Sequence, residues 1–265
     1  MLRPRIVPCL LIHQAGLVKT VEFAEPKYVG DPINAVKIFN EKEADELIVL
    51  DIDATVAGAE PNYDVIVNLA AECRMPLCYG GGVRAVEQAR RIVSLGVEKV
   101  AIGAAALEVP GLVRGIADSV GTQSVVVVAD VRRRERGATA TYELCTHNGK
   151  RVHDEAPLAF AKRMEAAGAG EILVNSIDRD GRMAGYDLDF ARLLRREVGI
   201  PLTILGGAGS HADVQQLFGA CGIVGAAAGS LFVFKGRYRA VLINYPDAAQ
   251  REEIGQAAFA PPPAP

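Results

Sequence analysis

The chain of 265 residues has no tryptophan, only 6% aromatic residues and four histidines, and no two of its five cysteines form a C-x-x-C pair. Cys9, Cys73, Cys78, Cys145 and Cys221 are odd in number and scattered, which argues against a disulfide framework and a zinc knuckle and points to a reducing cytoplasm. His13, His147, His153 and His211 share no ligand spacing, so no metal site is expected. Long apolar runs are also missing. Nothing reaches the roughly 18 residues of a membrane span. The apolar stretch Ile6 to Ile12 behind Arg3-Pro4-Arg5 is at the short limit for a signal peptide and lacks a small-x-small cleavage site, so it reads as a first strand. Net charge is −3 and the pI about 5.9, which argues against a broad nucleic-acid-binding face. An anionic ligand must therefore be held by local features.

What is present is a duplication. Glu46 to Val49 with Asp53 aligns with Glu171 to Val174 with Asp178, and 178 − 53 = 125. Pro76-Leu77 before Gly80-Gly81-Gly82 aligns with Pro201-Leu202 before Gly206-Gly207, and Gly103-Ala104 aligns with Gly229-Ser230. A repeat of this length is a half-domain, because solenoid repeats run roughly 20–50 residues.

Apolar strand-like runs alternate with helical patterns, the sign of βαβ units around a parallel sheet. Strands are expected near 5–11, 46–52, 76–79, 99–103, 124–130, 171–176, 201–205 and 223–228. Helices are expected from Asp31-Pro32 to about Glu43 and near 61–73, 84–95, 110–119, 155–167, 187–198 and 211–219. Eight modules predict a closed (β/α)₈ barrel over residues 1–246, with an open doubly wound sheet as the alternative. Two connections, 12–30 and 131–154, are long for βα loops, and the second reads as a small hairpin around an Asn148-Gly149 turn. The Ala/Pro-rich stretch 247–265 has no core-forming pattern and is expected to be a disordered tail.

Gly81, Gly82 and Gly103 in the first half, and Gly206, Gly207, Gly229 and Ser230 in the second, follow strands and precede helices. Backbone N–H groups there can hold phosphate, although glycine clusters also simply make tight turns. Two such clusters in register imply a ligand with two anionic ends lying across the mouth. Asp130 ends the fifth strand inside an apolar run, where a carboxylate is costly unless used or paired, and is the candidate acid–base group. Asp53 and Asp180 are at least as well explained as caps or loop fasteners.

Arg5-Ile6 with Cys9-Leu10, Asp45 to Asp51, the Gly80 triplet, Ser176 to Gly181 with Gly185-Tyr186-Asp187, and Gly206 to Gly209 together resemble the cyclase subunit of imidazole glycerol phosphate synthase, over residues 1 to about 245. The resemblance implies a barrel that takes ammonia from a separate glutaminase subunit and uses it, with no cofactor, on a bis-phosphorylated substrate. It implies that Lys19 clamps a substrate phosphate, that Asp178 belongs to the substrate site, and that Arg5, Glu46, Lys99 and Glu171 form an ammonia gate in the barrel floor. Glu98 resembles an acidic docking position for the glutaminase.

The resemblance also implies paired aspartates at the ends of strands one and five. Here Asp130 is kept and the first position is Leu11. Gly103, Asn175 and Leu205 stand where the family has Asn, Thr and Ser. Leu17 to Thr20, Pro26 to Val36, Met75 to Tyr79 and Arg239 to Pro246 resemble a paralogous branch associated with surface-polysaccharide genes. Members of that branch act with a glutaminase and an ATP-dependent sugar amidotransferase.

Overall fold

The computed structural model describes residues 3–136 and 139–260. Eight parallel strands pair in chain order: β1 (Arg5–His13), β2 (Leu47–Asp51), β3 (Leu77–Gly80), β4 (Lys99–Ile102), β5 (Val125–Arg136), β6 (Glu171–Ser176), β7 (Leu202–Leu205) and β8 (Gly225–Ala228). The last returns to the first, with Arg5 opposite Gly225, so the sheet is a closed barrel and not an open doubly wound one. Outside it lie α1 (Pro32–Glu41), α2 (Tyr63–Glu72), α3 (Val86–Ser94), α4 (Leu112–Val120), α5 (Pro157–Ala166), α6 (Leu188–Glu197) and α7 (His211–Cys221).

The period-2 geometry of a strand separates two cores. On β5, Val125, Val127 and Ala129 face the helices, while Val126 and Val128 point into the barrel. The interior is filled by Val7, Cys9, Ile48, Cys78, Ala101, Val126, Leu173, Leu205 and Ala227, against which Leu11, Leu50 and Val128 pack. Small residues on β4 and β8 offset branched ones on β2 and β6, as a tapering interior requires. Each helix buries one stripe; on α4 this is Leu112, Val113, Ile116 and Ala117. Starts are fixed by side-chain caps, with Asp31, Asn62, Asp187 and Ser210 accepting from the N–H groups of Asn34, Val65, Phe190 and Asp213.

Three stretches differ from expectation. Residues after β1 are not an irregular loop: Gly16–Val21 folds back antiparallel on β1, and Ala24–Gly30 pairs with it in turn. The fifth connection is a three-stranded meander in which β5 pairs with Thr139–Thr146, which pairs with Arg151–His153. The expected Asn-Gly turn joins only the second pair, with His147 and Asn148 both at φ 55°.

The expected disordered tail is the third case. Ala248–Gln256 forms α8, whose N-cap Asp247 and Gln250 satisfy each other's backbone N–H groups. Its Ile254 is 3% exposed, and Arg251 lies 5.6 Å from the Tyr245 ring while donating to the Pro246 carbonyl. Alanine-rich sequence needs only one apolar anchor and a cap to dock as a helix. Residues 261–265 lie outside the described residues. The Tyr245 hydroxyl donates to the Ile6 carbonyl at 2.7 Å and accepts from the Asp45 N–H at 3.1 Å, so the end of the barrel domain is tied to its first strand.

Candidate active site

At the floor, the four charges expected to form a gate do meet. Lys99 Nζ lies 2.7 Å from Glu46 and 2.8 Å from Glu171, and the Arg5 guanidinium bonds Glu171 at 2.8 Å and also Glu46. Each cation touches both anions, which closes a ring. Thr203, which the sequence reading missed, completes it: its hydroxyl donates to Glu171 and accepts from Arg5. Its inward parity with Leu205 on β7 was the available signal. Gly225 leaves the space that Thr203 occupies, since a Cβ there would overlap the hydroxyl. Burial alone would raise the pKa of Glu171, but Arg5 and Lys99 together hold it well below the usual carboxylate range. Glu98 is exposed beside the ring, and its carboxylate accepts from the Leu77 N–H at 2.7 Å.

At the opposite end, the strand termini surround a cavity of about 150 Å³ whose lining includes Leu11, Lys19, Gly103, Asp130, Asn175, Gly206, Gly207, Gly229 and Ser230. Asp130 is one of its walls. Burial in the apolar barrel pushes its carboxyl up to about 7, against a single opposing hydrogen bond from Asn175 at 3.3 Å. At neutral pH the group is therefore divided between acid and base forms, which suits proton transfer. Leu11 lines the same cavity from β1, four strands around the ring, and supplies no proton donor or acceptor.

Lys19 is not a solvated loop lysine. It is 6% exposed, its ammonium donates to the Cys9 carbonyl at 2.6 Å, and burial lowers its pKa. A Cβ on Gly229 would lie 2.7 Å from Lys19 Nζ, so the glycine makes room for the cation beside Ser230. The hairpin carrying Lys19 is fastened by Asp180, which accepts from the Thr20 hydroxyl at 2.6 Å and the Phe23 N–H at 3.1 Å. Asp180 is thus a loop fastener, as is Asp53, which binds His13 at 2.6 Å and the Gln14 N–H at 2.8 Å.

In the first half, Gly81, Gly82 and Gly103 line a neighbouring chamber of about 350 Å³ with Arg84, Glu108, His147 and Arg151. Gly81 sits at φ 131°, where a Cβ would lie 2.6 Å from Asp51 Cβ. Only glycine fits that turn.

Asp178 is a correction. It does not line the cavity; its carboxylate accepts from the Arg133 N–H at 2.5 Å and holds the base of the meander. An Asp two residues past a strand end, already facing a loop, serves that loop. Asp187 of the same motif caps α6 and accepts from the Tyr142 hydroxyl at 3.2 Å. Among the described residues no group of three His, Cys, Asp or Glu can hold a metal ion, and no helix is long and apolar enough to cross a membrane.

Residues 5–239 match the histidine biosynthesis protein family. A Vibrio vulnificus protein provisionally named imidazole glycerol phosphate synthase subunit hisF3 is 53% identical over 253 residues, covering 96% of each chain. A Pseudomonas aeruginosa protein provisionally named subunit hisF2 is 53% identical over 247 residues, 93% of this chain and 97% of the relative. The Exiguobacterium imidazole glycerol phosphate synthase subunit HisF is 38% identical over 216 residues, 82% and 83% of the two chains. The chain belongs to the histidine biosynthesis protein family, as one of its HisF-like cyclase-type barrels.

Proposed function

We propose that this barrel is the ammonia-using subunit of a glutamine amidotransferase complex that serves amidation of an acetamido group on a nucleotide-linked sugar. The observation that carries the reading is the closed Arg5–Glu46–Lys99–Glu171 ring at one end of the barrel combined with Leu11 facing the Asp130 cavity at the other. The nitrogen-entry end is kept while the chemistry end is changed.

In this reading a glutaminase docks on the N-terminal face around the ring, beside exposed Glu98, and ammonia released there crosses the apolar interior on the side of Cys78 and Ala101. At the mouth, Lys19 with Gly206, Gly207, Gly229 and Ser230 holds one anionic group, while Gly81, Gly82 and Gly103 face the other. Asp130, titrating near neutrality, exchanges the proton that accompanies nitrogen transfer. Reactions that need a donor and an acceptor on opposite faces lose one of the two with Leu11, and removal of one such group costs about 10²–10⁴ in rate. An ATP-dependent sugar amidotransferase then forms the final bond on the third protein.

Turnover of the histidine-pathway ribonucleotide with ammonium salts is the test, and the expected result is negligible cyclisation. Robust cyclisation assigns the chain to histidine biosynthesis instead, a reading favoured by its retained Asp130 and two glycine cradles. If Asp130→Asn leaves the complex fully active while ring variants uncouple it from glutamine hydrolysis, the barrel is a conduit and scaffold without chemistry of its own.

A further inference from the structure

Two hairpins rise from the rim of the mouth on the side of the second cradle, and neither belongs to the eightfold strand–helix plan. Gly16–Val21 with Ala24–Gly30 follows β1, and Phe234–Lys235 pairs antiparallel with Ala240–Val241 shortly after Ser230. The two are fastened together. The Lys27 ammonium lies 5.5 Å and the Arg239 guanidinium 5.7 Å from the centre of the Phe234 ring, and Arg239 also donates to the Gly181 carbonyl at 2.9 Å. Gly181 lines the Asp130 cavity, so the joined hairpins stand at its edge.

Folding leaves this surface unfinished. Every residue from Lys235 to Leu242 is exposed, with Tyr238 at 90%, and among the described residues the outer edge of Ala24–Gly30 pairs with no further strand. Glu22 is taken by Arg182 at 2.7 Å, which leaves Glu25 as the one other carboxylate in the two hairpins against Lys27, Lys235, Arg237 and Arg239. That cluster sits on a chain whose net charge is −3. Like charges crowded on one rim repel, and a free strand edge is a template for association; a partner with acidic groups relieves both. Tyr and Arg are also the side chains that concentrate binding energy in protein interfaces.

We propose that the two hairpins are the docking surface for the enzyme that takes up nitrogen at the mouth, which meets them with an acidic face and seats Tyr238 in an apolar pocket. The inference rests on the proposed amidotransferase function; the charged ring and the glutaminase face lie at the other end of the barrel.

Biolayer interferometry of the full chain with the purified ATP-dependent sugar amidotransferase and, separately, the glutaminase of the same organism tests it. Wild type binds the amidotransferase, and added salt weakens the complex. Tyr238→Ser and Arg237→Glu each lower that affinity at least about tenfold, equivalent to about 1.4 kcal/mol, while glutaminase binding, phosphate binding and the melting temperature stay unchanged. No binding by wild type, full affinity in both variants, or a matching loss of phosphate binding that makes the cations a steering device for the substrate overturns the inference. Capture of a single-stranded oligonucleotide through the same side chains does so as well. An amidotransferase that binds regardless of the hairpins refutes the inference and leaves the proposed function standing; a wild type that binds none and cyclises the histidine-pathway ribonucleotide refutes both.

Discussion

Lys99→Met tests the ring directly. The substitution keeps the aliphatic stem and removes one of two cations that Glu46 and Glu171, 4% and 5% exposed, share in the floor. Removing one partner of a buried ion pair costs about 3–5 kcal/mol because the other charge stays buried and uncompensated. Here Arg5 remains in contact with both carboxylates and the Lys99 side chain is 18% exposed, so about 2–4 kcal/mol is expected, or roughly 5–15 °C in melting temperature for a domain of this size. The pH dependence fixes the sign. The folded pKa of Glu171 is depressed, so its contribution is fully present above the unfolded carboxylate pKa of about 4.3 and is lost as pH falls toward the folded value. The gap between wild type and Lys99→Met is therefore widest at pH 6–7 and closes toward pH 3. Thermal melts by circular dichroism across that range measure it, with Arg3→Ala, at a side chain 78% exposed opposite Asp45, as the silent control. A shift at pH 7 no larger than that of the control, with no narrowing on acidification, would refute the account of the floor as a coupled network.

Asp130→Asn abolishes the barrel's own chemistry and, because burial raises the folded pKa of Asp130 to about 7, also removes a stability penalty that is present above pH 7 and relieved as pH falls toward 4; melts at pH 8 and pH 5 should show the variant gaining more at pH 8. Lys19→Met weakens inorganic phosphate binding at least about tenfold in calorimetry with little change in melting temperature, since charge-assisted bonds are worth roughly 1.5–3 kcal/mol. Gly81→Ala destabilises by at least ~1 kcal/mol through positive-φ strain and the Asp51 contact, as denaturant titration would measure.

The barrel was legible because strand and helix periods alternate cleanly. The run Val125 to Ala129 could only be a strand covered on both sides, and each helix but α3 starts near a cap or a proline visible in the chain. The antiparallel strands after β1 were not legible. Gly16–Val21 is held by pairing to β1 and by Asp180, which is 160 positions away from Thr20, and its own sequence gives no turn signal beyond an Ala15-Gly16 step. Asp130 stood out as a carboxyl in an apolar run, and the floor charges through a resemblance alone, since charges at strand starts look like ordinary solvated ends. Asp178 was placed at the substrate by the resemblance, whereas the duplication pointed the other way: its counterpart Asp53 accepts from the Gln14 N–H at the base of the first hairpin, as Asp178 accepts from the Arg133 N–H at the base of the meander.

The clasp of Tyr245 on Ile6 and Asp45 has a bearing on synthesis. β1 finds its second neighbour, β8, only when residue 225 emerges, and the seam is locked only at residue 245. At roughly 5–20 residues per second that is a wait on the order of 10–50 s with an open strand edge beside the nascent half-shell. Newly made chains are consequently open to intermolecular strand addition until residue 245 has emerged, and an amber truncation short of position 245 should accumulate in the insoluble fraction even though every barrel strand has been made.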